Sequence, residues 1–209
     1  MRLGVAVLLG AALGCASHAP LPPARAPAPT AASAPRSARP GTLDDLLRGD
    51  LAEDHAFAWS TRRPLAWSDF QGSPPSEGSE AAKTSYTLYS AWRCRGAVFE
   101  FRVIAGFRPG QSWVKAAVLK DSTQRRTILR YEQTHFDLAE VHARRMRRAF
   151  EDLARPCSQT DSQLSAEADR LTQEEKAEQR RYDVETHHGL LSDQQATWSR
   201  DVARRLGGP

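Results

Sequence analysis

From Ser122 to Ala154 the chain runs without a glycine or a proline, and its apolar residues recur at helical spacing. No other stretch constrains the fold as much. Asp121 or Ser122 supplies an N-terminal cap and Pro156 a stop. A helix of about 30 residues is about 45 Å long, so the remaining elements must pack along it. Its expected inward stripe is Ile128, Tyr131 or Glu132, His135, Leu138, His142, Met146 and Leu153. Arg125, Arg126, Arg130, Arg144, Arg145, Arg147 and Arg148 give the helix its charge and much of the net +4 of the chain. This reads as a solvated helix face rather than an anionic-partner site, and it lacks the interleaved aromatics of nucleic-acid binding.

The signals on either side differ in kind. Leu43 to Asp54 is a short amphipathic helix. His55–Trp59 and Leu65–Phe70 read as short aromatic strands, and the loop 72–78 carries Pro74 and Pro75. In Lys83–Trp92 the residues Tyr86, Leu88 and Trp92 oppose Thr87 and Tyr89. In Ala97–Ala105 the residues Phe99, Phe101 and Val103 oppose Glu100 and Arg102. Separated by Gly96, these two runs predict an antiparallel pair. Ser112–Lys115 reads as a last strand or docking segment. After the long helix come a charged helix over 162–182 and a third from Ser192, which buries Trp198, Val202 and Leu206. Strands first and helices after predict an α+β fold: a small antiparallel sheet packed on the long helix and two further C-terminal helices.

The N-terminal end reads as an export signal. Arg2 precedes an apolar run from Leu3 to Leu13, too short to span a bilayer, and Ala12-Leu13-Gly14-Cys15 resembles a bacterial lipobox. Residues 1–15 are then a signal ending at a lipidated Cys15. Residues 16–42 form a Pro/Ala-rich tether, and 43–209 form the folded domain. This organisation implies a lipid-anchored protein of the periplasm or cell envelope. With Cys15 so used, Cys94 and Cys157 remain and are expected to pair in an oxidising compartment.

The chemistry gathers on the long helix, where Tyr131, His135, Leu138 and His142 share one face and Glu132 borders it. A helical His-Glu-x-x-His places two imidazoles on zinc with the glutamate as general base. Here Glu132 and His135 are present and Tyr131 stands at the first histidine. His187 and His188 follow the next helix and are within reach as a third ligand, with Asp183 and Glu185 as orienting acceptors.

Two segments in order carry a resemblance to a known family. Tyr131-Glu-Gln-Thr-His-Phe-Asp-Leu-Ala-Glu140 and Tyr182-Asp-Val-Glu-Thr-His-His-Gly189 are similar to the motifs of the domain of unknown function 922 family. Leu65-Ala-Trp-Ser-Asp-Phe70, Ala82 with Thr84, Ser112-Trp-Val114 and Gln194 to Trp198 extend the likeness. The resemblance implies a zincin-like, secreted zinc-dependent protease. By position it makes Glu132 the general base and His135 and His188 zinc ligands. Asp137 and Glu140 match acidic residues that would orient or replace a ligand. Tyr131 departs from the family pattern, and a neutral phenol is a much poorer zinc donor than imidazole. Two readings follow: a zinc metallopeptidase acting on polypeptides, with Tyr131 phenolate or a carboxylate completing the site, or a non-catalytic relative that binds an envelope protein.

Overall fold

The computed structural model describes residues 3–6 and 41–207. The lipobox cysteine Cys15 and nearly all of the signal and tether segments lie outside the described residues. The first helix, α1 (Leu43–Glu53), starts in a capping box in which Thr42 and Asp45 bind each other's backbone N–H groups. Strands β4 (Tyr86–Arg95) and β5 (Val98–Phe107) form the expected hairpin, turning at Gly96, whose φ is +62°. The four-stranded antiparallel sheet has the order β1-β4-β5-β2, with β1 at Leu3–Ala6 and β2 at Phe57–Ala58. A second, two-stranded sheet pairs β3 (Ala82–Lys83) with β6 (Trp113–Val114). Then follow α2 (Ala116–Lys120), α3 (Ser122–Glu151), α4 (Asp161–Thr186) and α5 (Ser192–Gly207).

Both faces of the large sheet are covered, which explains the unbroken burial from Tyr89 to Arg93 along β4. On one face α1 packs Leu43, Leu47 and Leu51 against Tyr89 and Ala91. Gly106 allows this approach, because a Cβ there would stand 2.5 Å from Leu51 and 2.6 Å from Tyr89. On the other face Trp92, Phe101, Val103, Ala105 and Phe107 meet Phe136, Ala139, Ala143, Met146 and Phe150 of α3. Phe150 stacks on Phe101 with ring centroids 4.0 Å apart. The far side of α3 buries Tyr131, Leu138 and Val141 against Tyr182 of α4 and Trp198 and Val202 of α5.

The α+β class is therefore as expected, with α3 capped by Asp121. Three local readings are corrected. Leu65–Phe70 is not a strand but an extended lead into a 3-10 turn at Trp67–Asp69. Its backbone donors are taken by side chains: Leu65 N–H by Gln133 Oε1 at 2.6 Å and Ala66 N–H by Asp69 at 2.8 Å. The strand at His55–Trp59 shrinks to Phe57–Ala58. The charged helix runs on to Thr186, so Tyr182 and Asp183 sit on helix rather than in a turn. Cys94 and Cys157 form a disulfide, Cα–Cα 5.7 Å, joining the end of β4 to the 3-10 turn after α3.

Candidate functional site

The site forms where α3 and α4 cross under the turn into α5. Tyr131 and His135, four residues apart on α3, face Asp183 and Gln179, four residues apart on α4. His135 Nδ1 lies 2.7 Å from Gln179 Oε1, and His135 Nε2 lies 3.1 Å from Asp183 Oδ1. The orientation of the Gln179 amide is fixed by its neighbours. Its Nε2 donates to the His135 carbonyl at 3.0 Å and to Glu175 Oε1 at 2.9 Å, so its oxygen must face the imidazole. Tyr86 O–H also donates to that Glu175 oxygen.

Both imidazole nitrogens thus face acceptors, an arrangement that suits an imidazolium. Burial pulls the His135 pKa down, but the Asp183 hydrogen bond, the charges of Glu132 and Asp183 and the Gln179 bond outweigh it, and the pKa is raised. For Asp183 burial pushes up, but the His135 bond and charge, the Tyr131 hydroxyl and the charge of His188 hold the carboxyl below its ordinary range. Geometry and the directions of both shifts favour an imidazolium facing a carboxylate.

Tyr131 completes the cluster. Its hydroxyl donates to the same Asp183 Oδ1, and burial, that bond and the Asp183 charge drive the phenol pKa well upward. The ring is gripped on two sides. Tyr182 stacks on it at 5.1 Å, and Gly189, at φ +80°, passes so close that a Cβ there would lie 2.8 Å from Tyr131 Cγ. Tyr182 is fully buried and donates to Gln195 Oε1 at 2.6 Å, which ties α5 to the same point. Glu132 is 2 % exposed, and burial raises its carboxyl pKa against the pull of the His135 charge and the Thr84 hydrogen bonds.

The remaining candidates lie elsewhere. Asp137 points to the other side of α3, where it accepts from Trp59 Nε1 at 2.7 Å and Gln133 at 2.8 Å. Glu140 receives Arg144 and Arg147, each at 2.9 Å. Glu185 accepts from Trp198 Nε1 at 2.9 Å. His187 and His188 are exposed and both left-handed, φ 49° and 54°, in the turn that ends α4. His142 lies 2.6 Å from Glu178, which also holds Arg205. Arg125, Arg126 and Arg130 point to solvent. Gln179, Glu175 and Tyr86 were not anticipated. The signal that could have found Gln179 is its place four residues before Asp183.

Zinc, which the motif implies, does not fit the residues present. Among the described residues no three His, Cys, Asp or Glu side chains are grouped to hold a metal ion. The third group beside His135 and Asp183 is a phenol that burial and Asp183 keep protonated. A hollow of about 310 Å³ between α4 and α5, lined by Arg181, Trp198 and Arg204, does not include His135.

Fold and site together define a class: an α+β domain whose motif-bearing helix is clasped between a sheet and two helices, with its polar cluster facing the helices. The chain belongs to the bacterial family of proteins of unknown function DUF922, whose profile matches residues 68–189, more than half of the sequence. That match ends on Gly189, the residue packed against Tyr131. No curated protein and no solved structure matches the chain, so the zincin-like comparison rests on the sequence motifs.

Proposed function

We infer that this protein is a non-catalytic member of a peptidase-like family, exported to the cell envelope and held there by lipid on Cys15. In this reading its polar cluster keeps the fold in shape for binding an envelope protein. The observation that carries the reading is the Asp183 oxygen, which accepts from the Tyr131 hydroxyl and lies 3.1 Å from His135 Nε2. A helix-borne zinc site needs imidazole lone pairs and an open coordination position. Here one imidazole is replaced by a protonated phenol and the other is engaged at both nitrogens. Glu132, which the motif makes the general base, is 2 % exposed. The Cys94–Cys157 disulfide supports an oxidising compartment, and Met1 to Cys15 supports export and lipidation. No helix of the described residues is long and apolar enough to cross a membrane.

The test is hydrolysis of unfolded casein and mixed peptides with added zinc, comparing the wild-type protein with Glu132→Gln. Equal background in both is expected. Cleavage that depends on Glu132 would overturn the reading and restore the zinc peptidase.

A further inference from the structure

We propose that the turn between α4 and α5 docks the protein on an anionic lipid surface, with Leu190 and Leu191 entering the bilayer interface and Lys176 and Arg180 facing the headgroups. This goes beyond the preceding reading and does not rest on the site being inactive.

The exposed apolar side chains are concentrated at this end. Among the described residues five large hydrophobic side chains are exposed, and three of them fall within 184–191: Val184 at 75 %, Leu190 at 76 % and Leu191 at 45 %. Scattered single residues need no explanation, but a group of this kind marks a docking surface. The hollow between α4 and α5 does not include them, so they project at the end of a helical hairpin instead of lining a groove.

The backbone of the turn suits an apolar surrounding. Residues 187–189 are all left-handed, with φ of 49°, 54° and 80°. In this conformation every N–H from His187 to Leu191 has a partner. His187 donates to the Val184 carbonyl at 3.1 Å, His188 to that of Asp183 at 2.8 Å and Gly189 to Thr186 Oγ1 at 3.1 Å. Leu190 donates to the His187 carbonyl at 3.2 Å and Leu191 to that of Thr186 at 2.9 Å. Unpaired backbone donors are costly in lipid, and this turn brings none. A partner that adds a strand needs such donors and finds none here. Gly189, seated on the Tyr131 ring, holds the turn in place, so little ordering is required on docking.

Charge supplies the complement. Lys176, Arg180 and Val184 follow one another at four-residue intervals on an exposed face of α4 that leads into the turn. Among the described residues neither Lys176 nor Arg180 makes an ion pair, whereas Arg181 on the flank is paired with Glu178 at 3.1 Å. The exposed acids at this end are offset. Glu185 holds Trp198 Nε1 at 2.9 Å and lies 3.7 Å from Arg181, and Asp193 sits in the first turn of α5, where the helix dipole favours a negative charge. Two uncompensated cations beside projecting leucines match an anionic bilayer interface.

The experiment follows a solvatochromic dye on Leu190→Cys and, for comparison, on Val98→Cys, a position 62 % exposed at the start of β5. Both are made in the full chain with Cys15→Ser, which leaves the dye one free thiol besides the disulfide. The vesicles are phosphatidylglycerol and phosphatidylcholine in equal parts, or phosphatidylcholine alone. On the anionic vesicles the dye at 190 is expected to shift to the blue and the dye at 98 to stay in water, even where the N-terminal apolar run also holds the chain. Adding Val184→Ser and Leu191→Ser should weaken the response at 190 about 10-fold. Lys176→Gln and Arg180→Gln should weaken it about fivefold each, and added salt should weaken it in the parent. Circular dichroism checks that each variant folds. A dye at 190 that stays in water on anionic vesicles overturns the proposal and leaves the patch to a protein partner. An equal response on phosphatidylcholine alone, or at position 98, overturns it as well.

Discussion

Replacing Cys94 and Cys157 with alanine is expected to lower the unfolding free energy by about 4 kcal/mol. The two cysteines are 63 residues apart in sequence, and the chain-entropy model assigns a loop of that size about 4 kcal/mol through the unfolded state. The native side of the balance changes little, since Cα–Cα is 5.7 Å, inside the normal range for bridged cysteines. The bridge closes a loop holding β5, β6, α2 and all of α3, so it limits the freedom of the segment that bears Glu132 and His135. Urea denaturation of wild type and the double alanine variant measures the difference. A loss under about 1 kcal/mol would mean that the unfolded chain is already restricted or that the entropic account is incorrect here.

Asp183→Ala carries the second large expectation, a loss of about 3 kcal/mol at pH 6. Removing one partner of a buried pair leaves the other charge uncompensated, at a cost of about 3–5 kcal/mol when burial is complete. The Asp183 side chain is 29 % exposed and His135 14 %, so the lower end applies. The Tyr131 hydroxyl loses its acceptor at the same time. The pH profile follows from the signs of the shifts. The raised His135 pKa gives stability that is complete below 6.5 and lost as pH climbs through the higher folded value. The lowered Asp183 pKa gives stability that is complete above 3.8 and lost as pH falls through the lower folded value. The gap between wild type and Asp183→Ala should therefore be widest between these two limits and narrow on both sides. Glu132, with its raised pKa, weakens both proteins as pH rises through its folded value, a trend the difference largely removes. A gap independent of pH would show that Asp183 acts through packing and not through charge.

The fold was legible where hydrophobic period and caps agreed. Residues 122–151 show both, and β5 alternates from Phe101 to Ala105 while Gly96 marks its turn from β4. The expected stripe on α3 captured its α4-facing side, including Tyr131 and Leu138. It missed the sheet-facing Phe136, Ala139, Ala143 and Phe150, because a helix buried on two sides has no single apolar face. Leu65–Phe70 looked like a strand because it is aromatic. Its donors go to Gln133 and Asp69, tertiary and local bonds that propensity does not encode.

At the site, Glu132, His135 and Tyr131 could be read from helical spacing. Asp183 was marked only as an orienting group, since the histidine pair after it drew attention and the end of α4 was placed too early. The extra turn through Thr186 brings Asp183 onto the face opposite His135 and leaves His187 and His188 in the exposed turn. Gln179 was invisible for a different reason. A glutamine in a charged helix has no pattern of its own, and its role depends on Glu175 and the His135 carbonyl meeting its amide.

In the proposed reading, protons and not a metal hold His135, Asp183 and Tyr131 together in the wild-type protein. Nitrogen NMR of the His135 imidazole at pH 6, before and after one equivalent of zinc, should show two protonated ring nitrogens and no change on adding zinc. Loss of the Nε2 proton with a zinc-dependent shift of that nitrogen would overturn the reading.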